Sequence, residues 1–386
     1  MKKIKLADHN NCTGCAACAV VCPTKSITMT YGEDGFLYPI LNNETCIKCG
    51  KCMGSCFVLN KTIKKLPKTF STPKTYCAWN KNKDERRKST SGGTSFVFIK
   101  KFISEGGYVC GAAFNNSFHL EHIITNDFGI SKKLIGSKYL QSDVYYVYKK
   151  INELLKDNKK VLFIGTPCQV EGLKNITQEK YYINLITCDI LCHGVNSPKI
   201  WKSYVDYLEN KYKSKLINYN FRDKTNGWSK MSVKMQFESG KKIITRARRN
   251  HFHCWFGNHL ILRNSCFNCM FRTRKRNSDI TIADFWNIEK ILPEVNPEKG
   301  VSFVMVNTLK GRDLLNSCTE LKTIEVDYMK STSVLKGMHK NPQPPLLRKN
   351  FIDDYNSISF IKLIKKYDIP SFAQILLSFL KAKLHI

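Results

Sequence analysis

Eight cysteines in the first 56 residues repeat one interval: Cys12, Cys15, Cys18 and Cys22, then Cys46, Cys49, Cys52 and Cys56. Each set has the form C-x2-C-x2-C-x3-C, and Pro23 follows the first set whereas Phe57 stands after the second. Thiolates at this interval converge from one tight loop, so that successive sulfurs reach adjacent irons of a cubane cluster. Gly14, Gly50 and Gly54 permit close backbone turns around the sulfurs. The chemistry expected of such a set is one-electron transfer.

In a two-cluster ferredoxin run the fourth cysteine of each set crosses to the other cluster. That rule assigns one 4Fe-4S cluster to Cys12, Cys15, Cys18 and Cys56, and the other to Cys46, Cys49, Cys52 and Cys22. Zinc knuckles and disulfides compete with this reading, but zinc sites rarely use a third cysteine at the same interval.

A second constellation follows: Gly165-Thr166-Pro167-Cys168-Gln169, Cys192-His193-Gly194, and Cys266-Phe267-Asn268-Cys269. Each cysteine lies where a strand gives way to a turn, or in a Cys-x2-Cys loop, so all four could converge at one end of a sheet. A third cluster is the economical inference, although a lone Cys-x2-Cys also suits zinc or a redox pair. Cys188, four residues before Cys192, is the rival ligand. Cys77, Cys110, Cys254 and Cys318 lack ligand spacing and read as small core or surface residues. His193 could shuttle a proton or simply stabilise its turn.

The segments STSGGTSFVFIKKFISEGGYVCGAAF, GSKYLQSD, VLFIGTPCQVEGL, CHGVNSPKIW, SCFNC and SDITIADFW, in this order, resemble the coenzyme F420 hydrogenase/dehydrogenase beta-subunit family from about residue 76 to about residue 320. The resemblance implies an α/β flavoprotein that carries FAD beside a 4Fe-4S cluster, and it makes Cys168, Cys192, Cys266 and Cys269 the expected ligands. It does not by itself require that F420 be used. Ser91, Gly92, Gly93 and Thr94, at the mouth of a predicted helix, have the chemistry for the FAD pyrophosphate: free N–H groups and a helix dipole favour negative charge. A plain helix cap is the alternative. Gly136, Ser137, Lys138, Tyr139 and Gln141 are further flavin-site candidates, with the Tyr139 ring able to stack on an isoalloxazine. Asp279, Asp284 and Trp286 match the family's strand, where a structural role is an equal reading.

The elements that must position these residues are legible in outline. Residues 1–59 form the small α+β ferredoxin-like domain, 60–75 a linker rich in lysine with Pro67 and Pro73, 76–350 the flavin and iron-sulfur domain, and 351–386 a helical tail. Within the large domain, helices over 94–105 and 143–158 precede the strands YVCGAAF and KVLFIG. YYINLITCDIL reads as another strand, and Ser197-Pro198 opens a helix ending near Tyr212. Alternating strands and helices give an α/β fold, with antiparallel pairing from a hairpin around Gly240 making the sheet system mixed. Phe372, Ile375, Leu376, Phe379 and Leu380 fall at helical spacing, which suits a docking helix, with a membrane surface or partner as the alternative.

The 386 residues carry a formal charge of +31 from 62 basic and 31 acidic side chains, and only 12 of the basic residues are arginine. Scattered lysine among asparagine and isoleucine is compositional, and bound clusters lower the net charge by about 2 each. Seven arginines lie between Arg246 and Arg276. Arg263, Arg272, Arg274 and Arg276 bracket the Cys266 and Cys269 pair, where they would attract an acidic electron partner, unless they form a solvated basic loop. No aromatic stacking motif accompanies them, which argues against nucleic acid. Seventeen cysteines without an apolar leader favour reduced thiols and a cytoplasmic protein, and no stretch is long enough to span a membrane.

The expected function is an iron-sulfur flavoprotein oxidoreductase, passing electrons between a hydride carrier, F420 or another, and 4Fe-4S clusters through FAD. The alternative is an F420-independent subunit delivering electrons to a separate enzyme, for example one modifying cell-surface polysaccharides. Its partner would be a redox protein, acidic in character, or a small-molecule hydride carrier.

Overall fold

The computed structural model describes residues 3–368. The strands run β1 (Ile27–Tyr31), β2 (Leu37–Leu41), β3 (Thr69–Asn80), β4 (Tyr108–Phe114), β5 (Leu120–Thr125), β6 (Val161–Gly165), β7 (Leu185–Ile190), β8 (Leu216–Asp223), β9 (Ser232–Phe237), β10 (Lys242–Arg246), β11 (Ile280–Asp284), β12 (Ser302–Thr308) and β13 (Leu321–Val326). β1 and β2 form an antiparallel hairpin between the two cysteine sets. Short helices at Ala17–Val20, Lys51–Gly54 and Phe57–Asn60 complete this small α+β unit.

The main sheet has eight strands in the order β13-β3-β12-β11-β7-β6-β4-β5. β4, β6, β7 and β11 are mutually parallel, whereas β5 at one edge and β12, β3 and β13 at the other pair antiparallel. The fold is therefore the mixed α/β sheet that the alternating pattern implies. β6, VLFIG, is apolar throughout because both its faces are covered. By contrast β10 alternates half-buried and exposed residues along an edge. β8, β9 and β10 form a separate three-stranded sheet, so the expected hairpin around Gly240 gains a third strand. Its core gathers Trp201, Phe221, Phe252 and Trp255, and Trp201 comes from the helix Pro198–Tyr212, whose first turn is capped by Ser197 Oγ accepting from the Ile200 N–H.

Two local expectations are corrected. The second half of the span read as a linker is β3, held between β12 and β13 inside the main sheet. Pro73, which lacks an N–H, sits where the β3–β12 register shifts between Val306 and Thr308, so no ladder bond is lost there. The first half of YYINLITCDIL is a 3-10 turn, Glu179–Ile183, and the strand starts only at Leu185. Beyond the main sheet, helices Arg348–Ser357 and Phe360–Lys366 close the second core. The helix expected over 371–383 lies outside the described residues.

Candidate functional site

The two N-terminal cysteine sets interleave. Cys15 and Cys18 are surrounded by Cys12 and Cys56 as well as by each other, and burial first, then these neighbours, disfavours their thiolates; the Cys15 thiol is pushed up to about 12. Cys52, raised chiefly by burial, feels Cys22 and Cys49 instead. Cys56 thus lies with the first three cysteines and Cys22 near Cys52 of the second set, the placement that a crossed assignment requires. Gly14 and Gly50 take positive φ of 67° and 75° in the two loops, where a side chain would strain the turn. The Lys48 N–H points at Cys46 Sγ, 3.4 Å away.

The third set is built by the main sheet. β6 and β7 are adjacent and parallel, so Cys168 and Cys192, each just past a carboxyl end, emerge side by side, which is where open α/β sheets place their sites. Cys168 opens the helix Pro167–Ile176, and the GTPCQ run explains why it starts there: Pro167 pre-sets φ, and the Thr166 N–H donates to Gln169 Oε1 at 3.0 Å. Cys266 lies in the 3-10 turn Asn264–Asn268 with Cys269 next after it. All four line one cavity of about 600 Å³, whose opposite wall is Asp8, Asn11 and Thr13 of the N-terminal unit with Val58 and Leu59. Burial and then the neighbouring sulfurs push the Cys192 and Cys266 thiols up to about 12. The Gly194 N–H lies 3.3 Å from Cys192 Sγ.

These donor sets fit cubane clusters. In the first and third sets, neighbouring buried thiols that resist ionisation need a cationic centre to become thiolates together, and a cube bonds each thiolate at a different corner. Cys188, the rival ligand, is fully buried in the core between Val109, Leu162 and Ile280 and belongs to no thiol group. Cys77, Cys110 and Cys318 are likewise buried core residues, while Cys254 is half-buried with its thiol donating to the Arg248 carbonyl.

The first and third sets are neighbours. Gly172, one turn along the helix that Cys168 opens, is so close to Cys15 that an added Cβ would lie 3.2 Å from its sulfur and 2.9 Å from its Cβ. Arg263 closes the same junction. Its side chain is fully buried; it donates to the Cys12 carbonyl (2.7 Å), the Leu37 carbonyl (3.0 Å) and Gln141 Oε1 (2.7 Å), and its guanidinium lies 4.3 Å from the Tyr38 ring centre. Gln141 in turn donates to the Thr13 carbonyl at 3.0 Å. Gln141, expected among flavin contacts, is thus engaged with the N-terminal unit. Beneath the junction Lys174 and Glu171, both fully buried, pair at 2.9 Å and tie the segment at Lys64 to Asn277.

The arginines near Cys266 are internal ties more than free charge. Arg276 pairs with buried Asp189 at 2.6 Å, Arg272 donates to the carbonyls of His193 and Lys340, and Arg263 is enclosed. Arg274 reaches Met329. Of the four, Arg276 alone is paired with an acid, while the other three are held in place by neutral partners. His193, whose ring nitrogen faces that of His259 at 3.1 Å, is held well below its ordinary range by burial, Arg272 and His259, at about 4.

The remaining flavin candidates fall in two touching loops. The Ser137 N–H donates to Thr90 Oγ1 at 2.8 Å, bringing Gly136 and Ser137 beside the 90–94 loop. Ser91 and Gly92 spend their polar groups inside the protein, on Val301, Ser302, Asn80 and Lys224. The helix Thr94–Ser104 has no side-chain cap, and the buried Thr94 hydroxyl has no partner. Lys138 donates to the carbonyls of Lys133 and Ile135, with its pKa lowered by burial to about 7. Tyr139 stacks on Phe256 and accepts from Arg222, which pairs with Asp284 at 2.8 Å. Trp286 stacks on Trp228 with their ring centres 4.1 Å apart. Asp279 is structural, accepting from Thr187 and Thr308 between strands.

Comparison with known proteins agrees with this architecture. Residues 11–59 match the 4Fe-4S dicluster domain, and residues 158–332 match the family described as the C terminus of the beta subunit of coenzyme F420 hydrogenase/dehydrogenase. The F subunit of the F(420)H(2) dehydrogenase of Methanosarcina mazei is 21% identical over 346 residues, covering 83% of this chain and 92% of that protein. An uncharacterized protein of Methanocaldococcus jannaschii is 25% identical over 338 residues, covering 80% of this chain and 87% of its own. A chain of the F420-reducing [NiFe] hydrogenase complex from Methanosarcina barkeri aligns with TM-score 0.46 and 15% identity over 75% of this chain and 93% of that one. The chain thus joins a match to the 4Fe-4S dicluster domain, over residues 11–59, to a match to the C-terminal domain of the coenzyme F420 hydrogenase/dehydrogenase beta-subunit family, over residues 158–332.

Proposed function

We propose that the chain is an oxidoreductase subunit that passes electrons between a two-electron hydride carrier, F420 or another, and an outside one-electron partner. The observation that carries this reading is the series of three cysteine quartets, with Cys15 of the first set lying against the helix that Cys168 of the third set opens. Clusters bound there supply single-electron transfer, and a flavin supplies the exchange between paired and single electrons. The chain's own part is to hold twelve thiolates in three groups and to keep the first and third groups in register through Arg263 and Gln141. FAD is placed at the uncapped start of the helix Thr94–Ser104, beside the Gly136–Ser137 loop. Free N–H groups and the unpartnered Thr94 hydroxyl suit a pyrophosphate there. Residues 1–59 would carry two clusters, and the third would stand nearer the flavin.

Anaerobic iron and sulfide analysis with electron paramagnetic resonance tests the clusters. About 12 irons per chain are expected, falling by about a third in Cys266→Ser. Zinc in place of iron, or eight irons unaffected by that change, would remove the third cluster. Flavin placement is best tested at half-exposed Ser95. Gly93 is unsuitable, since its φ of +89° and its closeness to Asn80 make any side chain there a folding defect. Ser95→Glu puts an acid in the first helical turn, which favours the helix but repels a pyrophosphate, so the melting temperature should hold while extractable FAD falls. Unchanged FAD content would move the site elsewhere. Anaerobic reduction by reduced F420 and by NADH, followed optically, then distinguishes the hydride carriers.

A further inference from the structure

The three quartets are not equally enclosed. Cys15 and Cys168 approach each other across the junction, while Cys49 of the remaining quartet is the one exposed cysteine of the twelve. The quartet of Cys22, Cys46, Cys49 and Cys52 is therefore the end of the series that meets solvent. Its surroundings are basic. Lys25, Lys48 and Lys51 are all exposed, against the single exposed acid Glu44, and Ile47 stands 62% exposed among them. The loops that carry these residues are tied together: the Thr45 hydroxyl donates to Ser26 Oγ at 2.8 Å, and the Asn42 N–H donates to the Ser26 carbonyl at 2.8 Å. Lys25 and Lys48 also hold left-handed backbone, with φ of 54° and 55°. Glycine would occupy such positions with less strain. Lysine stands at both, each within three residues of a cysteine of this quartet. Beside the exposed cysteine, Gly50 and Gly54 have no atom of the described residues within 4 Å of where a side chain would project, so among those residues the face is open to close approach.

We propose that this face, centred on Ile47 and Cys49 and ringed by Lys25, Lys48 and Lys51, is the docking surface for an acidic one-electron carrier protein. The proposal rests on the electron-transfer reading above and adds the place of exchange and the charge of the partner. In each exchange one electron leaves the reduced centre held by Cys22, Cys46, Cys49 and Cys52, which rises one oxidation level. The partner's centre takes that electron and falls one level, and no proton moves or bond changes. The lysines steer and orient the partner, and Ile47 supplies the apolar contact at the centre of the patch.

The test titrates the anaerobic holo-protein with an acidic plant-type ferredoxin whose iron is replaced by gallium, so that binding is read by calorimetry without electron transfer. The wild type should bind at low ionic strength, with affinity falling as salt rises. The variant carrying Lys25→Gln, Lys48→Gln and Lys51→Gln should bind about tenfold more weakly and with a flatter salt dependence, while Arg272→Gln should bind as the wild type does. Iron content and the paramagnetic resonance spectrum are recorded for every variant. Equal affinity and salt dependence in wild type and triple variant, with full iron, would overturn the docking surface and leave the electron-transfer reading standing. A loss in Arg272→Gln matching that of the triple variant, or no binding by the wild type at low salt, would also overturn it. Absence of iron from the wild-type quartets would remove both readings.

Discussion

Arg263 shows how much of the site rests on one side chain. It satisfies two backbone carbonyls and the Gln141 amide oxygen without exposure to solvent. Arg263→Leu leaves those acceptors buried and unpaired, at about 1–3 kcal/mol each. Its expected outcome is a lower melting temperature together with weakened retention of the cluster on Cys12, measured by calorimetry and by iron per chain. Unchanged values in both would show the contacts to be dispensable. The cysteine quartets were legible in the sequence because cluster ligands must recur at fixed short intervals. Arg263 was not, because its Cys12 partner is 251 residues distant along the chain and a lone arginine beside a cysteine pair reads as surface charge. Gln141 behaves in the same way: its chemistry is plain in the sequence, but its partners Thr13 and Arg263 across the fold are not.

At the scale of elements, the helix Pro167–Ile176 is the piece on which others are set. Glu171 and Lys174, three apart, look in sequence like a solvated pair on a helix surface. Folded, both are fully buried and bind the Lys64 segment and Asn277. Lys174→Met would strand the Glu171 carboxylate, a loss of about 3–5 kcal/mol, seen as a lower urea midpoint. Adding Glu171→Gln should recover part of that loss; if the single variant were as stable as wild type, the pair would be idle. Helices with strong apolar periodicity and clear caps, such as Pro198–Tyr212, were readable nearly to the residue. β3 was not, because prolines and lysines at its start obscured a strand whose place is fixed by partners 224 or more residues later.

For the whole molecule, buried neutral histidines set the response to acid. His122 is 5% exposed, bonded between the Ile164 carbonyl and Ser142, and burial lowers its pKa from 6.5 to about 4. His253, bonded to the Phe221 carbonyl, is lowered alike by burial. The unfolded chain takes up protons at these sites as pH falls through 6.5, and the folded chain resists until about 4. Stability conferred by their neutral forms is therefore complete above that window and is lost within it, by an amount on the order of 3 kcal/mol for a fully buried histidine. His122→Gln keeps an amide donor and removes the titration, so its melting temperature should fall less between pH 6.5 and 4.5 than that of the wild type. Parallel curves for the two would assign the acid sensitivity elsewhere. No helix among the described residues is long and apolar enough to cross a membrane.

The contact of Gly172 with Cys15 has a consequence for speed. Electron tunnelling slows exponentially as the gap between centres widens, so a path that crosses flexible loops would flicker with their motion. Here one short helix presents Cys168 at its first turn and rests against Cys15 at Gly172, so under the proposed reading it would be a rigid spacer between the clusters on those two sets. A single methyl group at residue 172 would push on that spacer directly, and the rate of hopping proposed between them should fall with it.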